Sequence, residues 1–409
     1  MKKNTTLMKH WSRDIKRLLP VLIMVLATGT GAMAKPAEPP CSPELSLNPF
    51  PVEAKSAMDS LFAFAAESNT TFSPDRTEPL VKFVRDACTT DSGWELPKRN
   101  DAAGSAYIVK IKVPLQQYLT INFHPGIPDY AVFPACLRYS AGLNSNEMAR
   151  AYACIANGPT GTQTYATGRM TGFEEITPNP ESGGYFSYTN ARTFLRCRVA
   201  GQEVLFSCSE TTGPSTMSNR GVLIGSLEQA LFYYSGQPGL NLTGMKWMLS
   251  QINHSTTLSV YIALNSNETA VATFAWLDAG WNGINVTRAC HILNSQRNTL
   301  DFSRRIAENP GITAPLLASL ISTVDKMTEA AVNAEYEKYL LYVRTYRDNE
   351  PKGRFVRGSI LQDLYDAKTA QDLPMPYRRA LLIQERVRVL LGVATWSTGT
   401  ETSKPRSNL

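Results

Sequence analysis

The sequence predicts an α+β protein in which a disulfide-bonded, β-rich region with a duplicated β-hairpin precedes a charged, α-helical C-terminal region. Three observations lead to this prediction. Alternating, strand-like runs fill residues 105 to 295, a pentapeptide recurs within them, and helical spacing takes over after residue 301. The 409-residue chain is 43% apolar and 19% charged, which excludes a disordered or collagen-like protein.

The first 34 residues have the pattern of a secretory signal peptide. Basic residues precede a short apolar run, Leu18 to Ala27, and the segment ends on Ala32-Met33-Ala34. The run is about half the roughly 20 residues that a bilayer span requires. Removing the leader's six bases and one acid from totals of 41 and 35 lowers the formal charge from +6 to +1. We therefore expect a bacterial periplasmic or extracellular protein with no integral membrane span and no nucleic-acid partner.

Composition also suggests the domain boundaries. Proline-rich residues 35–51 predict an extended arm. The segments that follow are an N-terminal helical segment (52–100), a β-rich repeat unit (101–215), a second, α+β repeat unit (216–300), a helical C-terminal region (301–394) and a disordered tail (395–409).

The repeat is the pentapeptide at 143–147, which recurs at 264–268. Extending the same register over residues 136–155 and 257–276 matches eight of 20 positions. We predict that each copy is a β-hairpin with Asn-Ser-Asn at its tip, because asparagine tolerates the backbone of a tight turn.

The hairpin register makes specific pairs. In the second copy, Leu258 would lie opposite Phe274 and Ile262 opposite Ala270, on an apolar face. In the first copy, the same register places a cysteine pair directly across the two strands.

Cysteine usage extends this prediction. Seven cysteines lie between Cys41 and Cys290, and in an oxidising compartment most should pair. We predict the bridges Cys136–Cys154 and Cys197–Cys208, with Cys41–Cys88 as a weaker third and Cys290 left over. No C-x-x-C spacing occurs, and we expect neither a metal site nor a cofactor.

The sequence contains none of the usual catalytic motifs that we searched for, which favours a binding protein over an enzyme. One alternative stays open. His124 lies in a Pro/Gly-rich segment with Asp129 five residues further on, so this pair could perform acid–base chemistry in a hydrolase-type enzyme.

Two features suggest binding surfaces. Trp281, in a segment with Asp278 and Asn282, could stack on a sugar, which would make the chain a glycan-binding module. Tyr336, Tyr339 and Tyr346 recur at helical spacing along an uninterrupted run, residues 316–347, and could present a face to a protein or envelope partner. The leading hypothesis is an exported, non-enzymatic binding protein of the bacterial cell envelope.

Overall fold

The structure, a computed structural model, describes residues 46, 49–67, 71–178, 183–224, 226, 228–242, 246–281, 284–349, 373–393 and 396–397. The predicted signal peptide, most of the proline-rich arm, residues 350–372 of the predicted helical C-terminal region and nearly all of the predicted tail lie outside these ranges.

In the described chain, two helix-containing parts flank a run of ten consecutive strands. The helices are α1 (Val52–Ala66), α2 (Glu78–Ala87), α3 (Leu115–Asn122), α4 (Asp129–Val132), α5 (Ser145–Asn157), α6 (Ala289–Ala307), α7 (Ala314–Asp325), α8 (Glu329–Asn349) and α9 (Met375–Leu390). The strands are β1 (Ser92–Arg99), β2 (Ala102–Ile111), β3 (Leu137–Gly142), β4 (Tyr165–Ile176), β5 (Gly184–Val199), β6 (Gln202–Thr211), β7 (Asn219–Ile224), β8 (Leu231–Pro238), β9 (Leu240–Leu242), β10 (Lys246–Met248), β11 (Gln251–Asn265), β12 (Glu268–Trp281) and β13 (Ile284–Asn285).

One large antiparallel sheet organises these elements. Its main path runs β1-β2-β12-β11-β6-β5-β4-β3, so the first two strands pair with the last long strand of the β-rich region. Strands β7 and β8 extend the sheet from β5, and β9 and β10 pair with each other. Strands from both predicted repeat units therefore belong to a single sheet.

The two faces of the sheet differ because side chains alternate along each strand. On one face, Phe206, Val260, Ala272 and their neighbours form a closed apolar core with helices α1 and α2. On the opposite face, the same central strands carry serine and threonine, and helix α6 crosses this face.

Helix α6 is attached firmly at the β1–β2 side of the sheet. Gly93 on β1 makes room for Leu293, since a Cβ at position 93 would lie 2.6 Å from Leu293 Cδ1. Gln296 accepts a hydrogen bond from Ser105 Oγ at 2.8 Å and donates one to the Thr273 carbonyl at 2.9 Å. These contacts fix the helix over β2 and β12, at one side of the sheet.

The predicted duplication is wrong. In the second copy the hairpin forms as predicted, with Leu258 opposite Phe274 and Ile262 opposite Ala270. In the first copy, however, residues 145–157 form helix α5 instead of a returning strand. The fold is therefore one continuous antiparallel sheet with helices, and the two segments do not occupy equivalent places in it.

The pentapeptide makes the same local turn in both places. Asn144 accepts hydrogen bonds from the Asn146 and Glu147 amides, and Asn265 accepts one from the Asn267 amide at 2.8 Å. An asparagine bonded in this way can begin a helix or close a hairpin. The residues that follow the turn determine whether a helix or a hairpin forms. The segment MARAYACIAN is rich in helix formers, whereas TAVATFAW alternates β-branched residues with alanine.

The predicted disulfides are also wrong. Free thiols are found at Cys88, Cys136, Cys154, Cys197 and Cys208. Because Cys154 lies on helix α5, it does not face Cys136, and the β5–β6 register sets Cys197 opposite Val204 and Cys208 opposite Thr193. Cys290, the expected leftover, is disulfide-bonded.

Glycine at position 168 allows helix α5 to approach strand β4. A Cβ there would lie 2.6 Å from Ala151 Cα, and helix backbone cannot move aside as a side-chain tip can. We expect Gly168→Ala to lower the free energy of unfolding in urea by about 1–3 kcal/mol. Gly213→Ala, where a Cβ meets no atom within 4 Å, is the matched control. Equal stability of the two variants would contradict the close helix–sheet packing.

Candidate functional site

A cavity of about 630 Å³ lies between helix α6 and the serine- and threonine-bearing face of the sheet. Small-molecule sites in proteins typically have volumes of roughly 300–1,000 Å³. The space arises because helix α6 is held over β2 and β12, while the strands beside them present side chains too small to fill the gap.

The floor of the cavity is a patch of hydroxyl groups on three adjacent strands. Ser259 on β11 lies between Ser207 on β6 and Thr273 on β12, and Thr257 lies beside Ser209 in the next row. All five residues line the cavity, and we call them the hydroxyl floor. Since hydroxyls both donate and accept hydrogen bonds, this surface can meet many uncharged polar groups.

The roof is polar as well. Helix α6 contributes Asn294, Ser295, Asn298 and Thr299, together with His291 nearer its N-terminus. Floor and roof thus contribute uncharged hydrogen-bonding groups to a cavity whose lining surface is mostly apolar.

A charged cluster lies at the β5 side of the hydroxyl floor. Arg192, directly opposite Ser209 in the register, donates to Asp129 at 2.9 Å and to Glu174 at 2.6 Å. Tyr188 donates to the second oxygen of Glu174 at 3.0 Å. The side chains of Arg192, Asp129 and Glu174 are 18%, 17% and 11% exposed, so the cluster lies largely out of water.

The cluster influences the ionisation of its neighbours. Burial opposes the charge of Arg192, but attraction to Asp129 and Glu174 outweighs it and raises the arginine's pKa. Burial also raises the pKa of Tyr261 and of the Cys136 thiol, each to about 12. Burial and the nearby Glu174 carboxylate raise the pKa of Tyr188 well above its usual range. At neutral pH the arginine is therefore charged, and these tyrosines and the thiol are neutral.

The far end of the cavity is apolar. Phe186, Leu240 and Ile252 form a small buried cluster, which we call the apolar end. Phe186 and Arg192 face the cavity from the same strand six residues apart, a separation of about 20 Å. The cavity therefore changes from charged and polar to apolar along its length.

The predicted acid–base pair does not assemble. Asp129 belongs to the charged cluster, whereas His124 lines a separate cavity of about 500 Å³ that is bordered by α3 and α5. His124 accepts a hydrogen bond from the Gly126 amide through Nδ1, at 3.0 Å. Phe123 lines both cavities and stands between these two sites.

The predicted binding residues contribute mainly to packing. The run expected as one helix divides into α7 and α8, since Thr328 starts a new turn by accepting a hydrogen bond from the Ala331 amide. Tyr336 and Tyr339 are buried, and Tyr339 donates to the Phe232 carbonyl at 2.7 Å. Tyr346 is half-buried against the same core. Trp281 is half-buried at the end of β12 and lies outside the cavity lining.

Sequence reasoning missed the cavity, although a pattern in the strands could have located it. Hydroxyl residues face one way on three neighbouring strands, interrupted by no charge: Ser207 and Ser209, Thr257 and Ser259, and Thr273. A solvent-facing side of a sheet normally carries lysine and glutamate. A face that is polar but uncharged is better explained by a surface that another element covers.

No described helix is both long and apolar enough to span a bilayer. No group of three or more potential metal ligands occurs in the described part of the chain.

Comparison with known proteins gives remote likenesses. No protein-family model and no curated protein matches the sequence. Among solved structures, the human StarD13 (DLC2) lipid transfer and protein localization domain has a TM-score of 0.28 and 7% identity, covering 57% of this chain and 94% of that one. Human STARD10 has a TM-score of 0.30 and 6% identity, covering 59% and 83%. Likenesses this remote do not indicate a function for this chain.

Removing the guanidinium of Arg192 should expose the energetic role of the charged cluster. Arg192→Gln leaves two buried carboxylates without their cation, and we expect a loss of about 3 kcal/mol in the free energy of unfolding at pH 7. Urea unfolding at pH 7 measures the loss.

The control for this prediction is Arg304→Gln, which removes a half-buried arginine that also contacts two carboxylates, Asp91 and Asp301, whose side chains are 40% and 39% exposed. The control should cost less than about 1 kcal/mol. Equal losses for the two variants would contradict the claim that Arg192→Gln leaves uncompensated charge out of water.

Proposed function

We propose that this chain is a non-enzymatic binding protein that holds one small amphipathic molecule in the cavity beneath helix α6. The observation that carries the proposal is the cavity itself, about 630 Å³ with a hydroxyl floor and an apolar end. A cavity of this size between a sheet and a helix is costly to leave unfilled, because the missing contacts weaken the core.

The cavity lining supports a mainly uncharged ligand. Its charged side chains are Asp129, Glu174, Arg192 and Arg297, and three of these four already contact one another. The remaining polar groups are largely hydroxyls and amides. An alkyl or ring portion of the ligand would lie at the apolar end, and its polar portion would lie on the hydroxyl floor.

We also propose that the protein is exported. The support is the basic, apolar and small-residue pattern of the first 34 residues. In the periplasm or outside the cell, a protein of this kind would sequester or carry its ligand. N-terminal sequencing of the protein from a bacterial periplasmic fraction would test this part, with Lys35 expected as the first residue.

Filling the cavity should abolish binding without harming the fold. Ser259 lies in the middle of the hydroxyl floor, so Ser259→Leu places an isobutyl group in the empty space. We expect at least a roughly tenfold weaker affinity for 1-decanol by calorimetry, with an unchanged or higher melting temperature, because the new side chain fills a void without overpacking the core.

The matched control is Ser319→Leu, which makes the same exchange at an exposed position on helix α7. It should leave decanol binding unchanged. If 1-decanol binds the Ser259→Leu protein as tightly as the unmodified one, the ligand site is not this cavity. If 1-decanol fails to bind the folded, unmodified protein, the proposed function itself fails.

A further inference from the structure

The charged cluster carries an unbalanced charge. Asp129 and Glu174 contribute two negative charges, and Arg192 contributes one positive charge, so the cluster is formally −1. Both carboxylates contact the same guanidinium, at 2.9 and 2.6 Å. A buried net charge is expensive unless something compensates it.

Other cations near the cavity are engaged elsewhere. Arg297 lies over the Tyr107 ring on β2, and four strand spacings, about 19 Å, separate β2 from β5. Arg138 pairs with Glu175 at 2.6 Å. Glu175 follows Glu174 on β4, so the two carboxylates point to opposite faces of the sheet. Neither arginine therefore neutralises the cluster.

The groups that surround the cluster do not supply the missing charge either. Tyr188 donates to Glu174, while Tyr261 and Cys136 line the cavity close by. All three are weak acids that are neutral at pH 7, and their aromatic or polarisable surfaces are compatible with a cation. The cluster thus combines a residual negative charge, aromatic walls and an open space beside it.

We propose that the polar end of the ligand is cationic, a protonated amine or a quaternary ammonium group, and that it lies against Asp129 and Glu174. The apolar part of the ligand then extends along β5, away from the hydroxyl floor, toward Phe186, Leu240 and Ile252. This inference rests on the proposed function, since it names the chemical class of the molecule that the cavity holds.

Three probes with the same alkyl chain and different polar ends test the inference: decylamine, 1-decanol and decyl sulfate, each below its micelle concentration. At pH 7 we expect decylamine to bind at least about tenfold more tightly than 1-decanol, with decyl sulfate weakest of the three. A tenfold ratio corresponds to about 1.4 kcal/mol, a plausible contribution for one charge in a partly buried site.

The decisive variant is Asp129→Asn. It leaves the Arg192–Glu174 pair intact and makes the cluster neutral, and its amide oxygen can still accept from Arg192. We expect decylamine to lose most of its advantage, so that its affinity for this variant falls to within about threefold of that of 1-decanol for the same variant. The control is Asp86→Asn, an exposed carboxylate paired with Lys82, which should leave all three affinities unchanged.

The outcomes separate the inference from the proposed function. If 1-decanol and decylamine bind the unmodified protein equally well, or decyl sulfate binds best, the cationic ligand is wrong and the cavity site stands. A decylamine advantage that survives Asp129→Asn also overturns the inference. If none of the three probes binds the folded protein, the proposed function fails and the inference fails with it.

Discussion

The whole arrangement depends on how helix α6 is attached to the sheet. Gln296 bonds to β2 and β12, and Leu293 rests against Gly93, so the helix is held tightly along one side. Over β11, β6 and β5, small hydroxyl side chains leave the helix without a packed surface beneath it. A cavity results directly from this difference, since a rigid helix cannot bend down to fill the gap. Apolar clusters pack against both faces of the sheet, and the one on the α6 side includes Leu293 and Leu300 beside the cavity.

Charge is concentrated where the cavity meets strand β5. Placing an arginine and two carboxylates largely out of water is costly, because desolvation costs several kcal/mol per ion. Here the guanidinium connects helix α4, through Asp129, to strand β4, through Glu174. The cluster therefore joins these two elements within the lining of the cavity. Its residual negative charge also gives that end a chemical preference, and the two roles rest on the same three side chains.

Local sequence patterns predicted some elements of the fold correctly and others wrongly, for physical reasons that the structure identifies. The hairpin of β11 and β12 was predictable to the residue because a strict two-residue alternation sets its register. The same pentapeptide misled at Asn144, since an asparagine turn begins either a helix or a hairpin. The disulfide predictions depended on that register and failed with it.

The candidate site was harder to predict than the fold. Arg192 and Glu174 come together only through the β4–β5 ladder, which sets Tyr188 opposite Glu174 and Arg192 opposite Met170. Asp129 reaches them from a four-residue helix whose position no local pattern specifies. The hydroxyl floor was visible in the sequence as an uncharged polar face, but its enclosure by helix α6 is a tertiary property.

A crystal structure with a brominated ligand tests the central claim most directly. Crystals soaked with 10-bromodecylamine would reveal the bromine by its anomalous scattering. The account predicts one strong bromine site among Phe186, Leu240 and Ile252, with the amine beside Asp129 and Glu174. Bromine found only on the outer surface, with the space beneath helix α6 unchanged, would contradict the claim that this cavity is the ligand site.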